Sequence, residues 1–147
     1  MLVVGCGNQD RSDDAAGLLV VRRLYELGIH AVELGGEGLA LIDAWSGWAD
    51  VIVVDAVMSG APPGTITVWD ARTFPFPVGQ FRCSTHAFGM AETIELARAL
   101  GRLPGKLIVY GIEGIRFGCG GPPSPEVAEA VERLAQRIAK EADASSL

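Results

Sequence analysis

The first seventeen residues, MLVVGCGNQDRSDDAAG, restrict the fold more than any other stretch of the chain. Leu2-Val3-Val4 is a short apolar run that ends in Gly5-x-Gly7-Asn8. A polar loop follows, and Asp13-Asp14 stand where an amphipathic helix begins. Strand, glycine turn and helix in that order form the opening unit of an α/β protein. Such a unit carries its turn residues at the carboxyl edge of a parallel sheet, where α/β proteins bind ligands.

The rest of the chain continues that alternation. Ser12 is a candidate N-cap for a helix running to about Leu27, with Ala16, Leu19, Val20, Leu24 and Leu27 on one side and Gly28 placed to end it. His30–Leu34 is a second strand, Gly35–Gly38 a turn and Leu39–Trp45 a short helix. Val51-Ile52-Val53-Val54 is a continuous β-branched run, the pattern of a parallel strand buried on both faces, and it ends in Asp55. Thr65–Trp69 alternates polar and apolar, as an edge strand does. Too few residues separate it from the preceding strand for a helical crossover, so it is expected to run antiparallel.

The long Ala71–Thr85 loop then has a geometric task. An antiparallel strand leaves the chain at the wrong edge of the sheet, and a strand of that size is ~20 Å long. A loop of this length spans up to ~50 Å when extended, enough to return His86 to the edge that holds Asp14 and Asp55. A helix is predicted from about His86 to Leu100, a buried strand over Lys106–Ile112, and a mobile glycine-rich loop over Glu113–Pro123. Ser124-Pro125-Glu126 opens the last helix, with Val127, Val131, Leu134 and Ile138 as its apolar stripe and fraying expected over Glu141–Leu147.

A chain of 147 residues of this pattern is expected to be one domain, residues 1–147. Its formal charge of −6 argues against nucleic acid as a partner. No apolar run approaches the ~20 residues that span a bilayer, and no export signal is visible at the start. The three cysteines, Cys6, Cys83 and Cys119, are an odd, widely spaced set with no C-x-x-C. A cytoplasmic, reducing setting is therefore expected, with Cys6 buried beside the first strand.

Asp13 and Asp14 can be explained as acids that complement a helix dipole. Asp55 is harder to dismiss, because an acid after four buried aliphatics is costly unless it sits at the strand's end with a partner. His86 is one of only two histidines, and the topology brings it to both carboxylates. One histidine with two carboxylates can hold a borderline divalent metal and leave coordination positions open. Gly5-x-Gly7 lacks the third glycine of a dinucleotide loop, and no glycine cluster carries a P-loop lysine.

Two other functions fit fragments of the pattern. A phosphorylation-controlled receiver module would use acids near strand one, an acid ending strand three, a threonine and a lysine, which Asp13, Asp14, Asp55, Thr85 and Lys106 imitate. Receiver acids follow strand one directly, however, whereas Gly5–Ser12 intervene here, and Lys106 begins a strand rather than ending one. A flavin or nucleotide binder is the third class.

Taken together, the segments G-C-G-N-Q-D-R-S-D-D-A-A-G, Val53-Val54-Asp55-Ala56 with Pro63-Gly64-Thr65, Ser84-Thr85-His86, Tyr110-Gly111-Ile112-Glu113 and Ser124-x-x-Val127 resemble the hydrogenase maturation proteases. The likeness covers nearly the whole chain in the right order. It implies a three-layer α/β/α fold with a mixed five-stranded sheet of order 2-1-3-5-4, strand four antiparallel. It implies a metal-binding triad of Asp14, Asp55 and His86, some relatives having Glu where this chain has Asp14. The implied activity is that of an endopeptidase that trims the C-terminal extension of a nickel–iron hydrogenase large-subunit precursor. The precursor itself would supply the nickel, and the protease would act as a monomer at no membrane.

Overall fold

The computed structural model describes residues 1–8, 12–35, 38–73, 80–82, 89–117 and 120–145. Its elements follow in the order β1 (Leu2–Cys6), a 3-10 turn (Ser12–Ala15), α1 (Ala16–Glu26), β2 (Val32–Leu34), α2 (Gly38–Trp45), β3 (Asp50–Val57), β4 (Ile66–Asp70), α3 (Met90–Ala99), β5 (Lys106–Glu113) and α4 (Pro125–Ser145). The five strands form one sheet of order β2-β1-β3-β5-β4. β1, β2, β3 and β5 are parallel, and β4 runs antiparallel to β5 with Ile66 opposite Ile112 and Asp70 opposite Ile108. The short connection before β4 forces that reversal, as expected.

Alternation along the strands divides the core between two helical layers. Val3, Ile52, Val54 and Ile112 meet Val20, Val21 and Leu24 of α1 and Val127, Leu134 and Ile138 of α4. On the opposite face Val4, Val51, Val53, Leu107 and Val109 meet Leu41 and Trp45 of α2 and Met90 and Ile94 of α3. Each such fully buried aliphatic contributes roughly 1.5–3 kcal/mol of apolar burial, and the continuous apolar β3 can be wet on neither side.

Several local expectations hold. Gly28 takes a φ of +81° just past α1, Cys6 is buried in β1, and α4 starts at Pro125 with Glu126 in its first turn. Others are corrected. Ser12 does not cap α1. It has a φ of +50°, its hydroxyl donates to Gly120 O at 2.7 Å, and α1 begins at Ala16 after the 3-10 turn. β3 does not end at Asp55, because Ala56 and Val57 still pair with Ile112 and Glu113. α4 continues to Ser145 rather than fraying from Glu141. The helix expected from about His86 is seen over Met90–Ala99, where the Gly89 N–H donates to the Glu92 carboxylate at 3.1 Å. His86, Cys83, Cys119, Thr85 and parts of both glycine loops lie outside the described residues.

The return of the chain to the carboxyl edge is visible directly. Phe81 forms an antiparallel bridge with Val57 at the end of β3. The Met58 N–H donates to Gln80 O at 2.8 Å and the Arg82 N–H to Ala56 O at 3.0 Å. Phe81 is buried and meets Trp69 edge-on, with ring centroids 5.0 Å apart. Residues 80–82 are thus fastened at the carboxyl end of β3, beside Asp55.

Candidate active site at the carboxyl edge

Three glycines bring the acids to this edge. A Cβ on Gly5 would stand 2.1 Å from Gly17 O, and one on Gly7 would stand 2.4 Å from Asp14 O. A Cβ on Gly17 would stand 2.2 Å from Cys6 O and 2.4 Å from Val54 O. No side chain fits at any of these approaches, so G-x-G and the later glycine of D-D-x-x-G are the two halves of one helix-on-strand contact. The contact sets the start of α1 over both β1 and β3, next to the residue that precedes Asp55. The Asn8 N–H closes the turn onto Asp14 O at 3.2 Å.

The adjacent acids have different tasks. Asp13 is fully buried and accepts from the Ile115 and Arg116 N–H groups at 2.8 Å each, and from the Ser124 N–H and hydroxyl at 2.7 Å each. Burial alone would push its pKa up. The N–H donors of Arg116, Ile115 and Ser124 and the Ser124 hydroxyl together outweigh that and hold it below the ordinary carboxylate value. Asp13 therefore complements no helix dipole; it ties the loop after β5 to the turn before α1. The described part of that loop, expected to be mobile, is fastened at both ends.

Asp14 faces the other way. Its side chain is only 4% exposed, and Arg82 Nε donates to its Oδ1 at 3.0 Å. The Arg82 guanidinium lies over the Phe117 ring, 4.6 Å from its centroid. Asp55 is fully buried, and the Ala56 N–H donates to its Oδ1 at 2.8 Å. By alternation with Val53 and Val57 it belongs to the face covered by α2 and α3. Asp14 and Asp55 thus share one edge, as the sequence pattern required. His86 lies outside the described residues, and among those no group of three metal-binding side chains occurs. Two buried carboxylates at one edge are donors suited to a divalent cation.

Glu113 also sits at this edge. It is buried, and it accepts from the Ser59 N–H at 2.9 Å, the Ser59 hydroxyl at 2.5 Å and the Gly60 N–H at 3.3 Å, fixing the loop after β3. Neither this role nor that of Arg82 was read from the sequence. Their partners are 54 and 68 residues away in the chain, and no local pattern marks such pairs.

Comparison with known proteins decides the family. The family described as "Hydrogenase maturation protease" matches residues 19–141. The chain belongs to the hydrogenase maturation protease family. It is 31% identical over 138 residues to the hydrogenase expression/formation protein HupD of Thiocapsa roseopersicina, and 28% identical over 138 residues to HupD of Rhodobacter capsulatus. These alignments take in 89% and 90% of this chain but span 62% and 66% of the two HupD proteins. Among solved structures, the [NiFe] hydrogenase maturation protease HybD from Thermococcus kodakarensis superposes with a TM-score of 0.75 at 26% identity, covering 95% of this chain and 96% of that one.

A maturation-protease fold leaves the receiver function without its geometry. Lys106 pairs with Asp50 at the amino end of β3, whereas Asp55 pairs with Gly111. At ~3.3 Å per residue that separation along the sheet is ~16 Å, too far for a lysine to salt-bridge a phosphorylated Asp55. No described helix is long and apolar enough to cross a membrane.

Proposed function

We propose that this chain is the endopeptidase that removes the C-terminal extension of a nickel–iron hydrogenase large-subunit precursor after nickel insertion. The observation that carries this is the pairing of two buried carboxylates, Asp14 and Asp55, at the carboxyl edge of a maturation-protease fold. Asp14 and Asp55, with His86 carried over from the family's pattern, engage the nickel that the precursor presents. The metal is thus part of the substrate, and it can polarise the scissile carbonyl or activate a bound water. Water adds to the carbonyl carbon, the C–N bond breaks, and the proton goes to the departing amine.

Exposed apolar side chains near the site support this reading. Leu39, Met58 and Ile115 are 54%, 52% and 62% exposed, and each follows the carboxyl end of a parallel strand. Apolar side chains around a buried acidic centre suit a protein substrate better than a small polar one. In this reading the setting is the cytoplasm and the protease acts as a monomer.

The test is a matched pair of precursors, one nickel-loaded and one stripped, incubated with the protein and followed by intact mass. Loss of the extension from the loaded precursor alone is expected. An unchanged loaded precursor would refute the activity, and equal cleavage of both would refute recognition through the metal.

A further inference from the structure

A site that reads a metal through carboxylates gains nothing from a fixed cation beside them, yet Arg82 is held there by three attachments. Its backbone N–H is bound to Ala56 O, one residue after Asp55; its Nε donates to Asp14 Oδ1; and its guanidinium rests on Phe117. The pair is lopsided. The Asp14 side chain is 4% exposed while that of Arg82 is 35% exposed. The carboxylate is locked in place, and the guanidinium has room to leave.

The consequences follow from charge. A buried carboxylate is costly without a partner of opposite charge, and Arg82 supplies one. A divalent ion placed on the same carboxylate would stand within ~6 Å of that guanidinium and be repelled by it. The arginine also occupies one carboxylate oxygen. An ion arriving alone brings nothing to offset moving the arginine, whereas a docked precursor brings a whole interface.

We infer that Arg82 is a displaceable counter-cation that determines specificity: it holds Asp14 ready, excludes free divalent metal, and yields Asp14 only to metal carried in by the precursor. This rests on Asp14 being a metal-reading carboxylate. Phe117 guides the movement, because its ring gives the guanidinium a resting surface independent of Asp14. Arg82 is a positioning residue and takes no part in bond breaking.

The experiment is calorimetric titration of nickel chloride into the wild-type protein, Arg82→Gln, Asp14→Asn and the double variant, each first shown to be folded by circular dichroism. Arg82→Met is run alongside, since it keeps an apolar stem on Phe117 and guards against a folding defect in Arg82→Gln. Loss of the guanidinium is expected to tighten nickel binding about tenfold or more, and adding Asp14→Asn is expected to remove that gain. Binding no tighter in Arg82→Gln and Arg82→Met than in the wild type, with Asp14→Asn still weakening it, would overturn the counter-cation role and leave Asp14 as a ligand. Asp14→Asn without effect in either background would overturn both.

Discussion

Gly5 and Gly17 meet backbone to backbone, so closely that a Cβ on Gly5 would lie 2.1 Å from the Gly17 carbonyl oxygen. This contact joins β1 to α1 and fixes where Asp14 stands. Gly17→Ala would press a methyl between Cys6 O and Val54 O, two backbone atoms that cannot turn aside. The expected cost is ~2–3 kcal/mol, read as a lower urea midpoint together with slower precursor cleavage. An unchanged midpoint would show that the helix can shift without loss.

Asp13→Asn replaces an acceptor of four hydrogen bonds with a group that must turn two N–H donors toward donors. A loss of ~2–4 kcal/mol is expected at neutral pH. The sign of its pH dependence follows from a folded pKa lowered below its ordinary value. The stabilisation from ionised Asp13 is complete above the unfolded value of ~3.9 and is lost as pH falls through the lower folded one. The gap between wild type and Asp13→Asn in urea melts should therefore be full at pH 7 and narrow in strong acid. A gap independent of pH would mean that the charge contributes nothing.

Glu113→Gln should loosen the loop after β3, because a glutamine can accept through only one of the two carboxylate oxygens now bound to Ser59 and Gly60. A cost of ~1–2 kcal/mol is expected. Amide hydrogen exchange at Ser59 and Gly60 would report it locally, by faster exchange in the variant. Unaltered protection would contradict the tether.

Most of the fold was legible because its signals are local. Val51–Val54 could be nothing but a two-sided buried strand, the short link before β4 dictated its direction, and Ser124-Pro125-Glu126 marked the start of α4. The placement of Asp14 and Asp55 at one edge followed from topology alone. What could not be read depends on distant partners. Asp13 and Asp14 look alike along the chain, and only the loop from Ile115 to Ser124 makes one a tether and leaves the other to Arg82. Ser12 has the composition of a helix cap, but its bond to Gly120 draws it into a left-handed conformation instead. β3 outlasted Asp55 because β5 extends to Glu113 and continues to pair with it.

In the proposed function Asp14 and Asp55 serve cleavage, whereas Asp13 and Glu113 serve folding. Asp55→Asn is the sharpest probe of this division, because asparagine keeps the side-chain oxygen that the Ala56 N–H needs while an uncharged amide replaces the second carboxylate oxygen. The measurement is the single-turnover cleavage rate of nickel-loaded precursor, with thermal melting in parallel. The predicted result is a rate lowered by a factor of roughly 100–1,000, as for loss of an electrostatic group at a reacting centre, in a protein that melts like the wild type. Cleavage at the wild-type rate would contradict a role for Asp55 in cleavage and move the site away from it.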